Sequence, residues 1–160
     1  MRAMGDADIL IKLNQYPKIE KEMTDLGFKF QYESDHELVW EKPTLFLELH
    51  KSIMTSYNTD FYSYFGSGWK IAKRIQDRSR YEMSVEDFYI FTFVHFAKHY
   101  RISGIGIKHL IDLWVYSTAH SEMKWSYIEA ELEKMRLSKF HQNIRKTLGV
   151  WFCGDTDSEI

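Results

Sequence analysis

Asp6 and Asp8 stand two residues apart just before Ile9, Leu10 and Ile11. In a β-strand, whose side chains alternate with a period of two, both carboxylates share one face. Two carboxylates near one point repel unless protons or a cation neutralise them, and hard divalent cations such as Mg²⁺ take oxygen ligands. The spacing alone carries little, because eight acidic pairs occur at it in this chain, against about three for random placement. Context separates the first pair: Gly5 precedes it and an apolar run follows, whereas the pairs around Asp157 have no strand beside them.

A third carboxylate, Glu48, lies in a run where Leu45, Leu47 and Leu49 take one face and Phe46, Glu48 and His50 the other. A charged Glu amid apolar neighbours needs a partner. With this strand beside the one carrying Asp8, three carboxylates converge where two metal ions about 3.5 to 4 Å apart align a phosphoryl group for in-line attack. The competing arrangement pairs Glu48 with Lys51 or another surface cation and leaves the aspartates to solvate a strand end.

Holding these groups requires a sheet, and the first third of the chain is patterned for one. Asp8 to Ile11 is β-prone, Asn14, Gln15 and Pro17 mark a turn, and a helix follows over Lys18 to Leu26 with Gly27 closing it. From Phe28 the pattern alternates through Tyr32, breaks at Ser34, Asp35 and His36, and resumes over Leu38 to Trp40 and Leu45 to Leu49. Two or three antiparallel strands are expected there. After His50 the texture turns helical, with an aromatic segment at Phe61 to Phe65 and helices over about 69–78, 84–101, 107–118, 126–135 and 138–148. Ser84 with Asp87 three residues on resembles a capping box, and Ile107, Leu110, Ile111, Trp114 and Val115 form an apolar stripe. The expected class is α+β, a mixed sheet followed by a helical C-terminal region. Residues 1–55 form the α+β part, 56–152 a helical part packed on it, and 153–160 a frayed acidic tail.

The 160 residues are 44% hydrophobic, 16% aromatic and 28% charged, which excludes a disordered or collagenous chain. With 21 basic and 23 acidic side chains the net charge is −2, so a surface that grips nucleic acid all round is excluded and only local basic patches remain. A single cysteine, Cys153, makes no internal disulfide, the N-terminus has no secretory pattern, and Phe88 to Ala97 is too short to span a bilayer. A cytoplasmic protein without a membrane role is the expectation.

Arg2, Gly5, Asp6, Asp8 and the run to Ile11, the later Leu47-Glu48-Leu49-His50-Lys51-Ser52, Met83-Ser84 with Glu86-Asp87-Phe88, His95 with Lys98 and His99, and Gly104 with Gly106, Ile107 and Asp112 resemble the uncharacterised nucleotidyltransferase family of the DNA polymerase beta superfamily. The resemblance runs over nearly the whole chain. It implies an Asp-x-Asp strand and a later acidic residue that bind two Mg²⁺ (or Mn²⁺) ions, and transfer of a nucleoside monophosphate from a nucleoside triphosphate to an acceptor, here unidentified. By position, Asp6 and Asp8 are the paired metal ligands, Glu48 is the third carboxylate and a base for the acceptor hydroxyl, and Arg2 reaches a phosphate. In that superfamily a strand and a helix with a small-residue turn precede the aspartates and hold the triphosphate on backbone N–H groups; only five residues precede Asp6 here. The expectation is a fragment of a longer protein, a shortened relative without turnover, or a chain completed by another subunit.

Thr92, His95 and His99 line one helical stripe with Lys98 adjacent. The histidines have the spacing of a zinc protease helix, but Phe96 stands where its glutamate base belongs, which argues against that chemistry. Two readings stay open: histidines satisfied inside a helical core, or His95, Lys98 and His99 set against nucleotide phosphates. Asp112 is expected to partner such a cation. Lys70, Lys73, Arg74, Arg78 and Arg80 gather around Trp69, either as the solvated face of a helix over 69–80 or as a nucleic-acid-binding surface. Cys153 reads as a passive thiol. Metal-dependent nucleotidyl transfer leads, with a non-catalytic interaction module and the basic helix as alternatives. A homodimer covering an open sheet edge is a further expectation.

Overall fold

The computed structural model describes residues 6–76, 80–104 and 106–154, and for Asp6 and Ser103 the backbone only. Strand β1 (Asp6–Leu10) leads through a single 3₁₀ turn (Leu13–Gln15) into helix α1 (Tyr16–Asp25), with Pro17 in its first turn, where a missing N–H costs nothing. Gly27, at φ +83°, lets the chain leave that helix. Strands β2 (Lys29–Glu33), β3 (Glu37–Lys42) and β4 (Leu45–His50) follow as a meander. The sheet order is β1-β4-β3-β2, with β1 parallel to β4 and the other pairs antiparallel. The crossover through α1 thus brings the last strand of the meander back alongside the first strand of the chain.

Alternation sorts the two faces of this sheet. Leu38 and Trp40 of β3 and Leu47 and Leu49 of β4 are buried with Ile11, Met23 and Phe28 in one core, against which Ala7, Tyr16, Ile19 and Leu45 pack. Each such side chain gains about 1.5 to 3 kcal/mol by leaving water, which fixes the register: a slip of one residue would turn the leucines outward. The positions between them, Phe46, Glu48 and His50 on β4 and Asp8 on β1, are thereby held on the face away from α1. Helix α2 (Thr59–Phe65) buries Phe61 and Phe65. Gly68, at φ +98°, approaches β1 so closely that a Cβ there would lie 2.9 Å from Ile53 Cγ1 and 3.0 Å from Leu10 Cδ2. The Lys12 ammonium sits 4.9 Å over the Trp69 ring, and Lys70 Nζ donates to the Ser63 carbonyl at 2.5 Å.

The chain divides into two compact units, Met1–Lys70 and Ile71–Ile160. In the second, a short hairpin of β5 (Lys73–Arg74) and β6 (Tyr81–Glu82) precedes α3 (Val85–Ser103), α4 (Ile107–Ala119), α5 (Trp125–Lys134) and α6 (Ser138–Leu148), which ends in a π-helical turn (Gly149–Cys153). Ser84 caps α3 by accepting from the Asp87 N–H at 3.0 Å, as the capping pattern implies. Asp87 in turn accepts from the Tyr127 hydroxyl at 2.9 Å, and Glu86 from the Lys124 N–H at 3.1 Å, tying the start of α3 to α5. Ile90, Phe93 and Val94 of α3, Leu113 of α4 and Ile128 and Leu132 of α5 are fully buried.

The helix expected over 69–80 does not form. Lys73 and Arg74 pair with Glu82 and Tyr81, and the Ile75 N–H bonds the Arg80 carbonyl at 3.0 Å, which makes the described part of this segment a hairpin; Arg78 lies outside the described residues. The reason is patterning. Ile71, Ala72 and Ile75 supply too little apolar surface to seat a helix, and all three stay half-buried. The basic helix that would have carried nucleic-acid binding is therefore withdrawn. Among the described residues no helix is long and apolar enough to cross a membrane.

Candidate functional site

The first unit gathers ionisable groups where β1 meets β4. In the parallel ladder Asp8 stands opposite Glu48, and Leu10 opposite His50. Opposite positions in a ladder share a face, so the Asp8 carboxylate, the Glu48 carboxylate and the His50 imidazole project together. His50 Nε2 lies 3.4 Å from Asp8 Oδ1 and 3.5 Å from Glu48 Oε2. One ligand atom from each of the three lies within 4.8 Å of the others, a set able to hold a metal ion. Exposure grades across the group: the side chain of Asp8 is 64% exposed, Glu48 29% and His50 19%. Asp8 thus stays largely solvated, while Glu48 and the imidazole are partly buried in the sheet.

The surroundings settle the competing arrangement for Lys51. Its ammonium bonds Glu33 Oε1 at 2.5 Å and the Ser34 carbonyl at 2.7 Å, across the turn between β2 and β3. His36 Nε2 lies 3.2 Å from Glu37 Oε2, and its ring centroid is 6.1 Å from that of His50. Glu37 faces His50 in the β3–β4 ladder. Asp6 pairs with Phe46 one step earlier in the parallel ladder; its side chain, and Arg2 as a whole, lie outside the described residues.

A family model described as uncharacterised nucleotidyltransferase matches residues 1–152 of the chain. The chain belongs to that nucleotidyltransferase family. No curated protein and no solved structure matches it. Membership implies a nucleotide substrate and a divalent metal, and the donor set on the sheet suits the metal, since two carboxylate oxygens and an imidazole nitrogen are ligands of divalent ions.

The second unit of this nucleotidyltransferase-family chain gathers its own basic group. His99 Nε2 and His95 Nε2, one turn apart on α3, share a hydrogen bond of 2.9 Å. The His109 ring of α4 comes within 6.3 Å of the His95 ring and 6.5 Å of the His99 ring, centroid to centroid. Burial holds the His99 imidazole below its ordinary pKa, and the nearby Lys98 ammonium and His109 lower it further. Asp112 follows His109 by three residues on α4.

Two residues escaped the sequence reading. His50 had a signal, because the alternation of β4 assigns it the face of Glu48, but its meeting with Asp8 depends on a parallel register that no local pattern contains. His109 gave none: joining His95 and His99 depends on how α3 and α4 cross.

Proposed function

We propose that the first unit is a metal-dependent nucleotidyl-transfer centre. Asp8 and Glu48, with Asp6 two residues upstream on the same strand, hold a divalent cation, Mg²⁺ or Mn²⁺. Such an ion, held there, would supply charge neutralisation for the triphosphate and favour in-line displacement. An acceptor hydroxyl oxygen forms the new bond to the α-phosphorus, pyrophosphate leaves, and the hydroxyl proton passes to Glu48. Arg2 is assigned to a phosphate oxygen of that triphosphate; His95, Lys98 and His99 form a separate phosphate-binding group within the second unit, Lys98 as a cation and the imidazoles as N–H donors.

One observation carries this reading: Asp8 and Glu48, some forty residues apart in sequence, are opposite partners in a parallel ladder, on a chain that belongs to a nucleotidyltransferase family. A strand pair that served the core alone would not need two facing acids at that register. Calorimetric titration of each nucleoside triphosphate in the presence of Mg²⁺ tests it. Asp8→Asn is expected to weaken binding at least tenfold, about 1.4 kcal/mol. Equal binding by the variant, or no metal-dependent binding of any nucleotide, would replace this function with that of a non-catalytic interaction module.

A further inference from the structure

The geometry points to His50 as a direct metal ligand, which makes the site an aspartate–glutamate–histidine centre that favours a first-row transition ion such as Mn²⁺ over Mg²⁺. The inference rests on the metal-dependent reading above and adds to it the nitrogen ligand and the metal class.

Distances distinguish a ligand from a salt-bridge partner. Charge-assisted N–H···O⁻ bonds close to about 2.7 to 2.9 Å. His50 Nε2 stops at 3.4 Å from Asp8 Oδ1 and 3.5 Å from Glu48 Oε2, too long for either bond to be well made. Two ligands on one ion, each about 2.1 to 2.3 Å from it, stand roughly 3.0 to 3.3 Å apart at right angles and about 3.4 to 3.8 Å apart at the tetrahedral angle. One nitrogen equidistant from two carboxylates of different strands has the spacing of three donors around a shared centre. The backbone holds it there: His50 ends β4, its carbonyl accepts from the Ile11 N–H at 2.9 Å, and its position is paired on both sides, with Leu10 and with Glu37.

The donor set then selects the ion. Mg²⁺ demands oxygen ligands, keeps several of its waters and needs one or two carboxylates from the protein. An imidazole nitrogen adds little to its binding, but adds more for Mn²⁺ and later first-row ions, whose affinity for nitrogen is higher. Asp8 and Glu48 alone would serve either ion, so His50 is the residue that discriminates.

The test uses the full chain loaded with Mn²⁺ alone. Pulsed electron paramagnetic resonance of the bound Mn²⁺ is expected to show modulation from a directly coordinated ¹⁴N nucleus, and His50→Gln is expected to abolish it. The same substitution should weaken Mn²⁺ at least tenfold and Mg²⁺, measured by competition, less than threefold. Asp8→Asn should weaken both ions. No nitrogen modulation in the unmodified protein, or modulation that survives His50→Gln, overturns the role of His50 while leaving the carboxylate site intact, provided Asp8→Asn still weakens Mn²⁺. If Asp8→Asn leaves Mn²⁺ affinity unchanged, or no Mn²⁺ binds, the underlying metal-site reading falls together with the inference. If His50→Gln fails to fold, ¹⁵N labelling of histidine with His36→Gln as the control makes the assignment: the signal must persist without His36, and its loss there overturns the role of His50.

Discussion

Asp8, Glu48 and His50 in the first unit and Tyr89 and His141 in the second are both groups of ionisable side chains beside an apolar core, but the fold treats them in opposite ways. The first set stands on the sheet face away from α1, with Asp8 mostly in water and Glu48 and His50 partly buried. The second is shut inside the helices, where Tyr89 and His141 are each 1% exposed and their Oη and Nε2 atoms lie 2.9 Å apart. Phe93 meets the imidazole edge-on at 4.8 Å between centroids, and Trp125 stacks on it at 6.3 Å. Burial disfavours charge on both partners, pushing the tyrosine pKa up and the imidazole down to about 4, so the hydrogen bond joins two neutral groups. The buried pair is kept uncharged and serves packing; the sheet cluster gathers two acids and an imidazole at a spacing that suits a ligand.

The largest effect should come from opening the dry side. Phe93 is fully buried and touches Phe96 and Phe140 as well as His141. Phe93→Ala removes that surface and leaves a cavity, at a cost of about 3 to 5 kcal/mol in a denaturant titration. A cost below about 1 kcal/mol would mean that the aromatic box is loosely packed and that the contrast drawn above is false.

Acid should come next. Above the ordinary histidine pKa of 6.5, His141 is neutral whether the chain is folded or not, and it contributes no pH dependence. As the pH falls below 6.5 the unfolded chain takes up the proton, while the folded one resists until about 4. Stability is therefore full above 6.5 and is lost progressively down to 4, by about 3 kcal/mol in all. The Arg145 guanidinium, stacked 4.0 Å over Trp125, adds to the depression but ranks below burial. Other groups titrate in the same window, so the informative quantity is the difference between the unmodified protein and His141→Gln. That difference should shrink with falling pH; a difference independent of pH would show that the imidazole titrates freely.

How far these regions could be read from the residues alone follows from the range of the interactions. The strands, α1 and the helices from Ser84 onward are set by local signals: leucines at alternate positions, Pro17 in a first turn, a serine cap. The face carried by Glu48 was legible for the same reason, because Leu45, Leu47 and Leu49 fix the parity of β4. The ladder from Asp8 to Glu48 required more, that β1 and β4 be neighbours, parallel and in this register, which no local pattern contains. Lys73 and Arg74 misled because the density of cations resembles a helix face, while the missing apolar stripe was the stronger signal. His141 and His109 were illegible because their surroundings come from other helices, and a histidine's sequence neighbours do not reveal its dielectric.

The smallest predicted change in stability is the most informative about the wet site. Asp8→Asn removes a carboxylate that is 64% exposed, lies within reach of His50 and stands next to Glu48. Losing an exposed pairing with an imidazole costs at most a fraction of a kcal/mol, and losing repulsion from a neighbouring carboxylate returns a similar amount. In metal-free buffer the denaturation midpoint of the variant should therefore match that of the unmodified protein to within about 0.5 kcal/mol. Adding Mn²⁺ should separate them: an ion that binds the folded chain alone stabilises it in proportion to the logarithm of its concentration over Kd, and only the unmodified protein should gain the full shift. A substitution invisible to the fold and plain to the ion marks Asp8 as a residue held for binding. A large loss of stability in metal-free buffer would instead make it a structural partner of His50, and the wet and dry clusters would then differ only in exposure.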